Sequence, residues 1–114
     1  MSAGALFRIV PARDAAGSGA EKAAGHFIER RGVRCAGVHL LIDIHGAQKL
    51  DDVEWVRKTL LRCVREAGAT LLYIYLHPFE PNGGISGVAV LAESHISIHS
   101  WPEHGYAALD VFMC

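Results

Sequence analysis

The feature that most constrains this fold is a series of short β-type segments that fills the chain from Thr70 to Cys114. Successive side chains of a strand point to opposite faces, so a half-buried strand alternates apolar with polar. His95-Ile-Ser-Ile-His-Ser100 keeps that rhythm, and Tyr106 to Cys114 reads as a last strand. Thr70 to His77 (TLLYIYLH) and Gly87 to Ala92 are rich in β-formers. The breaks carry turn chemistry: Pro78 to Ser86 is a loop with two prolines and two adjacent glycines, and Trp101-Pro-Glu-His-Gly105 is a turn. Strands joined by such short connections pair with their sequence neighbours, which predicts an antiparallel meander.

Upstream, one strand and one helix complete the pattern. Val38, Leu40, Ile42 and Ile44 alternate with His39, Leu41 and Asp43. Val53, Val56, Leu60, Val64 and Ala67 then recur at helical spacing, and Gly68 ends the run. Asp51 is the expected cap, with Glu54 completing a capping box. The sum is an α/β chain, a two-layer α/β sandwich whose antiparallel-rich sheet carries a helix packed on one face. Residues 1–36 read as a flexible Ala/Gly-rich N-terminal extension, loosest over Asp14 to Glu21. Its apolar islands, Leu6 to Val10 and His26 to Ile28, are candidates to dock on the domain over 37–114.

Composition narrows the function. A hydrophobic share of 51% is too high for a solvated coil. Eleven Lys+Arg against twelve Asp+Glu leave a net charge of -1, so no basic field invites nucleic acid. No run of about 18 apolar residues could span a bilayer, and no secretory leader is visible. Three cysteines, Cys35, Cys63 and Cys114, are an odd number without a CxxC pair, which favours a reducing cytoplasm.

Polar chemistry concentrates between Glu93 and Glu103. His95 and His99 could share a metal on a helix, but four steps along a strand set them about 13 Å apart. Ser94 or Ser97 could serve a hydrolase, yet neither sits in a Gly-x-Ser-x-Gly elbow. On composition alone these side chains are the wet face of an amphipathic strand.

The literal string says more. Glu93-Ser-His-Ile-Ser-Ile-His-Ser-Trp-Pro-Glu103, with Gly87 to Ala92 before it and His104 to Cys114 after it, closely resembles the core of prokaryotic S-adenosylmethionine decarboxylase proenzymes. The resemblance continues upstream through Ala36 to Asp43, Gly68 to Thr70, His77 to Phe79 and Ile85 to Gly87. Relatives continue beyond the position of Cys114, so a C-terminal part is expected to be absent here. Ser100 replaces a common threonine and keeps the hydroxyl.

The resemblance implies a chemistry. Decarboxylating an α-amino acid leaves a carbanion that needs an electron sink, which no side chain supplies. The family makes that sink as a pyruvoyl group from Ser94, with no metal and no pyridoxal phosphate; the lysines Lys22, Lys49 and Lys58 lie away from the histidine-rich run. Ser94 would attack the carbonyl of Glu93, with His99 as processing base and Ser86 assisting. Cys114 matches the proton donor of decarboxylation. Phe79 would stack on adenine, aided by His99, and Glu103 would accept hydrogen bonds from ribose. Relatives are homodimers of the processed unit, with sites near the subunit interface. Alternatives are a pyruvoyl-dependent ornithine or arginine decarboxylase and a catalytically silent partner subunit. Strand parity sets one condition: Ser94 and His99, five apart, face opposite sides of a regular strand, so the chain must turn or bulge at Glu93-Ser94.

Overall fold

The alternating segments form strands, and every pairing between them is antiparallel. The computed structural model describes residues 6–11, 27–81 and 83–114. In chain order the elements are β1 (Leu6–Pro11), β2 (Ile28–Arg30), β3 (Val33–Cys35), β4 (Val38–His45), α1 (Val53–Glu66), β5 (Leu71–Pro78), β6 (Ile85–Leu91), β7 (Ser94–Trp101) and β8 (Tyr106–Met113). Six strands make one sheet in the order β1-β4-β8-β7-β6-β5, and β2 with β3 makes a separate two-stranded hairpin. The run beginning at Leu6 pairs with β4. The expected flexible tract from Asp14 to Glu21, and His26, lie outside the described residues.

The helix covers one face of the sheet. Val56, Leu60 and Val64, spaced by four, are the buried residues of α1. Beneath them lie Leu76, Ile85, Ala89, Leu91, Ile96, Ile98 and Ala107, each less than a tenth exposed. Burying each large aliphatic side chain contributes about 1.5–3 kcal/mol, so this face holds the fold together. Among the described residues, the opposite face carries no helix. His39, His45, Tyr73, Tyr75, His77, His99 and Trp101 stand exposed on it.

Two local expectations shift. The helix cap is Asp52 rather than Asp51: Asp52 has the extended backbone of a cap, and its side chain accepts the Trp55 N–H at 3.0 Å. Glu54 is therefore one residue too early for a capping box, and it meets Arg57 at 3.6 Å instead. Ser86, expected in a loop, lies inside β6 opposite His99, because the Phe79–Gly84 segment closes on itself through Gly83 N–H to Phe79 O (2.8 Å) and Phe79 N–H to Gly84 O (2.7 Å).

Candidate active site

Two groups of polar residues form at opposite ends of β7. At its start, Leu91 on β6 and Ser94 on β7 are paired across a two-residue turn, Ala92-Glu93. Glu93 has φ +59°, a left-handed conformation that strains a residue bearing a side chain. Here β8 ends beside β7. The Cys114 N–H donates to Ser94 Oγ at 3.3 Å, and the Cys114 thiol donates to the carbonyl oxygen of Glu93 at 2.8 Å. The Glu93–Ser94 peptide bond is thus set in a strained turn, with a donor on its carbonyl and the neighbouring hydroxyl engaged.

At the other end, Ser86 Oγ and His99 Nδ1 are 2.9 Å apart. They line a cavity of about 260 Å³ with Phe79, Gly84, Ser100, Trp101 and Glu103. Phe79 is 49% exposed, and its ring meets His77 edge-on at 4.6 Å, so it forms an open aromatic wall rather than core. The buried Ser100 hydroxyl secures this end. It accepts the Ile85 N–H at 2.9 Å and donates to Leu50 O at 2.9 Å, tying β6, β7 and the helix-entry loop together. Without it the Ile85 N–H would lose its buried acceptor, at a cost of about 1–3 kcal/mol. Gly84 fits because a Cβ there would lie 2.7 Å from the Ser100 carbonyl oxygen.

The structure therefore brings Glu93, Ser94 and Cys114 together, and separately Ser86, His99, Phe79 and Glu103. It does not bring Ser94 to His99 within one chain. The expected turn at Glu93-Ser94 is present, but pairing continues from Ser94 to Trp101 without a bulge. Five regular steps leave the two residues about 16 Å apart and on opposite faces.

Three side chains between the groups escaped the sequence reading as a unit. His95 Nε2 lies 3.0 Å from Asp110 Oδ2, and Ser97 Oγ donates to Asp110 Oδ1. The serine bonds the carboxylate and not the histidine, so this is no nucleophile–base pair. Only the β7–β8 register, which sets Ser97 opposite Asp110, reveals the cluster.

Comparison with known proteins gives the family. The sequence pattern of the S-adenosylmethionine decarboxylase family matches residues 38–114. A protein of Methanococcus vannielii named S-adenosylmethionine decarboxylase proenzyme is 54% identical over 80 residues, covering 68% of this chain and 65% of its own. Proteins of the same name from Synechococcus sp. (strain WH7803) and Pseudomonas aeruginosa are 51% and 48% identical over 80 residues each, with 68% of this chain covered. Those matches span 62% and 49% of the two relatives. The chain thus spans less than two thirds of the length of these curated relatives. It belongs to the S-adenosylmethionine decarboxylase family.

Proposed function

We propose that the chain is a proenzyme that cleaves itself between Glu93 and Ser94 and then decarboxylates S-adenosylmethionine, yielding the aminopropyl donor for spermidine synthesis. The observation that carries this reading is the Cys114 thiol on the Glu93 carbonyl oxygen, in a turn where Glu93 is held at positive φ. Attack of Ser94 Oγ on that carbonyl carbon puts negative charge on the oxygen, where a preset donor is worth most. The amide C–N bond then breaks and an ester forms. A base, assigned to His99 with Ser86 holding its ring, removes the Ser94 α-proton, and the Glu93 carboxylate leaves by β-elimination. Addition of water and loss of ammonia convert the remainder of Ser94 into a pyruvoyl group. Donor, strained turn and nucleophile are those such a conversion needs, so the residues present fit this group. The pyruvoyl group would supply a carbonyl electron sink for the charge left when CO2 departs.

The remaining residues bind and transfer protons. Cys114, whose thiol already points its proton at the Glu93 carbonyl oxygen, is placed to deliver a proton to the substrate carbon. Phe79 and Glu103 border the cavity that would take the adenosyl group, one offering a π-face and the other acceptors for ribose hydroxyls.

The 16 Å gap between Ser94 and His99 gives the reading its quaternary form. A base must come within about 3 Å of the proton it removes. We infer a homodimer in which the bare sheet faces stack, so that each two-layer α/β sandwich covers the other. A two-fold axis between the sheets and across the strands lays the Ser94 end of one copy over the His99 end of its partner. Exposed apolar side chains on that face, Leu41, Tyr73, Tyr75, Val90 and Trp101, are what such a contact would cover. No helix among the described residues is long and apolar enough to cross a membrane. With the three cysteines free, we assign the protein to the cytoplasm.

Carboxyl-labelled substrates test the activity. Labelled CO2 is expected from S-adenosylmethionine and not from ornithine or arginine; release from either amino acid alone would replace the reading with the other decarboxylase. Phe79→Ala is expected to weaken binding of a non-reactive S-adenosylmethionine analogue by about 1–3 kcal/mol, the scale of stacking on an aromatic ring. Unchanged affinity by titration calorimetry would return Phe79 to a packing role.

A further inference from the structure

Self-cleavage, if it proceeds as proposed, creates a mechanical problem. The Ala92-Glu93 turn is the covalent link from β6 to the start of β7. Once the Glu93–Ser94 bond is gone, the reacting position is a free chain end, and chain ends fray. Nothing in the backbone ladder alone distinguishes it from any other strand terminus. Yet it must stay beside Cys114, which closes β8.

The side chains directly after the break supply a fastening. His95 is the first residue beyond the new end, and its Nε2 reaches diagonally across the β7–β8 pair to Asp110 Oδ2 at 3.0 Å. Ser97 donates to the other oxygen of the same carboxylate, so both oxygens grip β7. The His95 ring stacks on Phe112, 6.1 Å between centroids, and Phe112 packs on His39 at 4.6 Å. These contacts tie the start of β7 to β8 and, through His39, to β4. Burial alone would raise the Asp110 carboxyl, but the hydrogen bonds from Ser97 and His95 and the nearby His39 outweigh it and hold it below the usual range. The anchor therefore stays ionised, and its hydrogen bonds are charge-assisted. Neither residue lines the cavity or touches the Glu93–Ser94 bond by any of these contacts, so they act through position.

We propose that His95 and Asp110 form a clamp that holds the chain end created by cleavage in register with Cys114. This rests on the self-processing reading above. His95 and Asp110 are positioning residues, needed less before the cut, while the turn still tethers β7, than after it.

Amide hydrogen exchange over residues 95–97, followed by mass spectrometry, reads the clamp without reference to turnover. In cleaved protein, His95→Ala and the near-isosteric Asp110→Asn are each expected to speed exchange there at least tenfold, with β5 unchanged. His95→Gln, which returns an N–H near the position of Nε2, is expected to recover most of the protection. In the uncleaved Ser94→Ala background, adding His95→Ala should change exchange less than twofold. In the cleaved enzyme kcat should fall with exchange while KM stays within twofold. Intact mass of the same samples reports cleavage separately. A cleaved protein whose exchange ignores His95→Ala and Asp110→Asn refutes the clamp alone, as does a Gln variant no better protected than Ala. A wild-type chain that stays whole overturns both readings.

Discussion

Ser94→Ala is expected to leave one unbroken chain under every condition in which the parent divides in two. The hydroxyl supplies the nucleophile, and the same residue supplies the carbon framework of the group to be formed, so no neighbour can substitute for it. Loss should be complete rather than partial, because without the ester the bond is an ordinary amide in a strained turn. Misfolding would not explain such a result. Ser94 Oγ accepts the Cys114 N–H at 3.3 Å, and an interaction of that kind contributes about 1 kcal/mol. The variant should keep the circular dichroism of the parent and unfold within a few degrees of it. Two fragments on a denaturing gel from folded Ser94→Ala would remove the cleavage site from this bond.

The second large effect is expected when two silent chains meet. His99→Ala and Ser94→Ala should each remain whole when made alone. Made together, they should form mixed dimers in which the Ser94 end of the first chain lies over the His99 end of the second. About half of the His99→Ala chains, the share that random pairing places in mixed dimers, should then be cut, and the Ser94→Ala chains should stay intact. Distinct affinity tags on the two chains make the count possible on one gel. A site contained within one chain predicts no cutting at all, since neither chain carries both residues. That outcome would require β7 to rearrange and would end the stacked-face dimer.

Much of this architecture can be read from residue order, for a simple reason. Alternation and helical spacing report which side of an element is apolar, and one face of this sheet is strongly buried, so Ile96 and Ile98 or Val56 and Leu60 declare themselves. Boundaries were less legible. Asp51 and Asp52 are chemically identical caps, and only the backbone angles at Asp52 decide between them. Ser86 looked like loop because prolines and glycines precede it, whereas pairing with His99 draws it into β6.

The candidate site divides along the same line. Parity already put Ser94 and His99 on opposite faces. The turn expected to reconcile them exists, but Glu93 reverses the chain at positive φ without adding a residue to the ladder. The meeting of Ser94 with Cys114, and of His95 with Asp110, depends on where the Trp101–Tyr106 pair closes the β7–β8 hairpin. That register is set by the turn around Gly105, which takes φ +58°, and no periodicity within either strand reports it. Family resemblance named Ser94, His99 and Cys114 together; the distances in one chain separate the histidine from the other two.

The most direct test of the central claim is the intact mass of the purified wild-type protein. Self-processing predicts two fragments divided between Glu93 and Ser94. The fragment that begins at position 94 should be lighter by one ammonia than simple hydrolysis would leave it, and its first residue should resist Edman degradation because it carries a ketone in place of an amine. A single mass equal to the whole chain, or a fragment that begins with a free serine amine, would contradict the account.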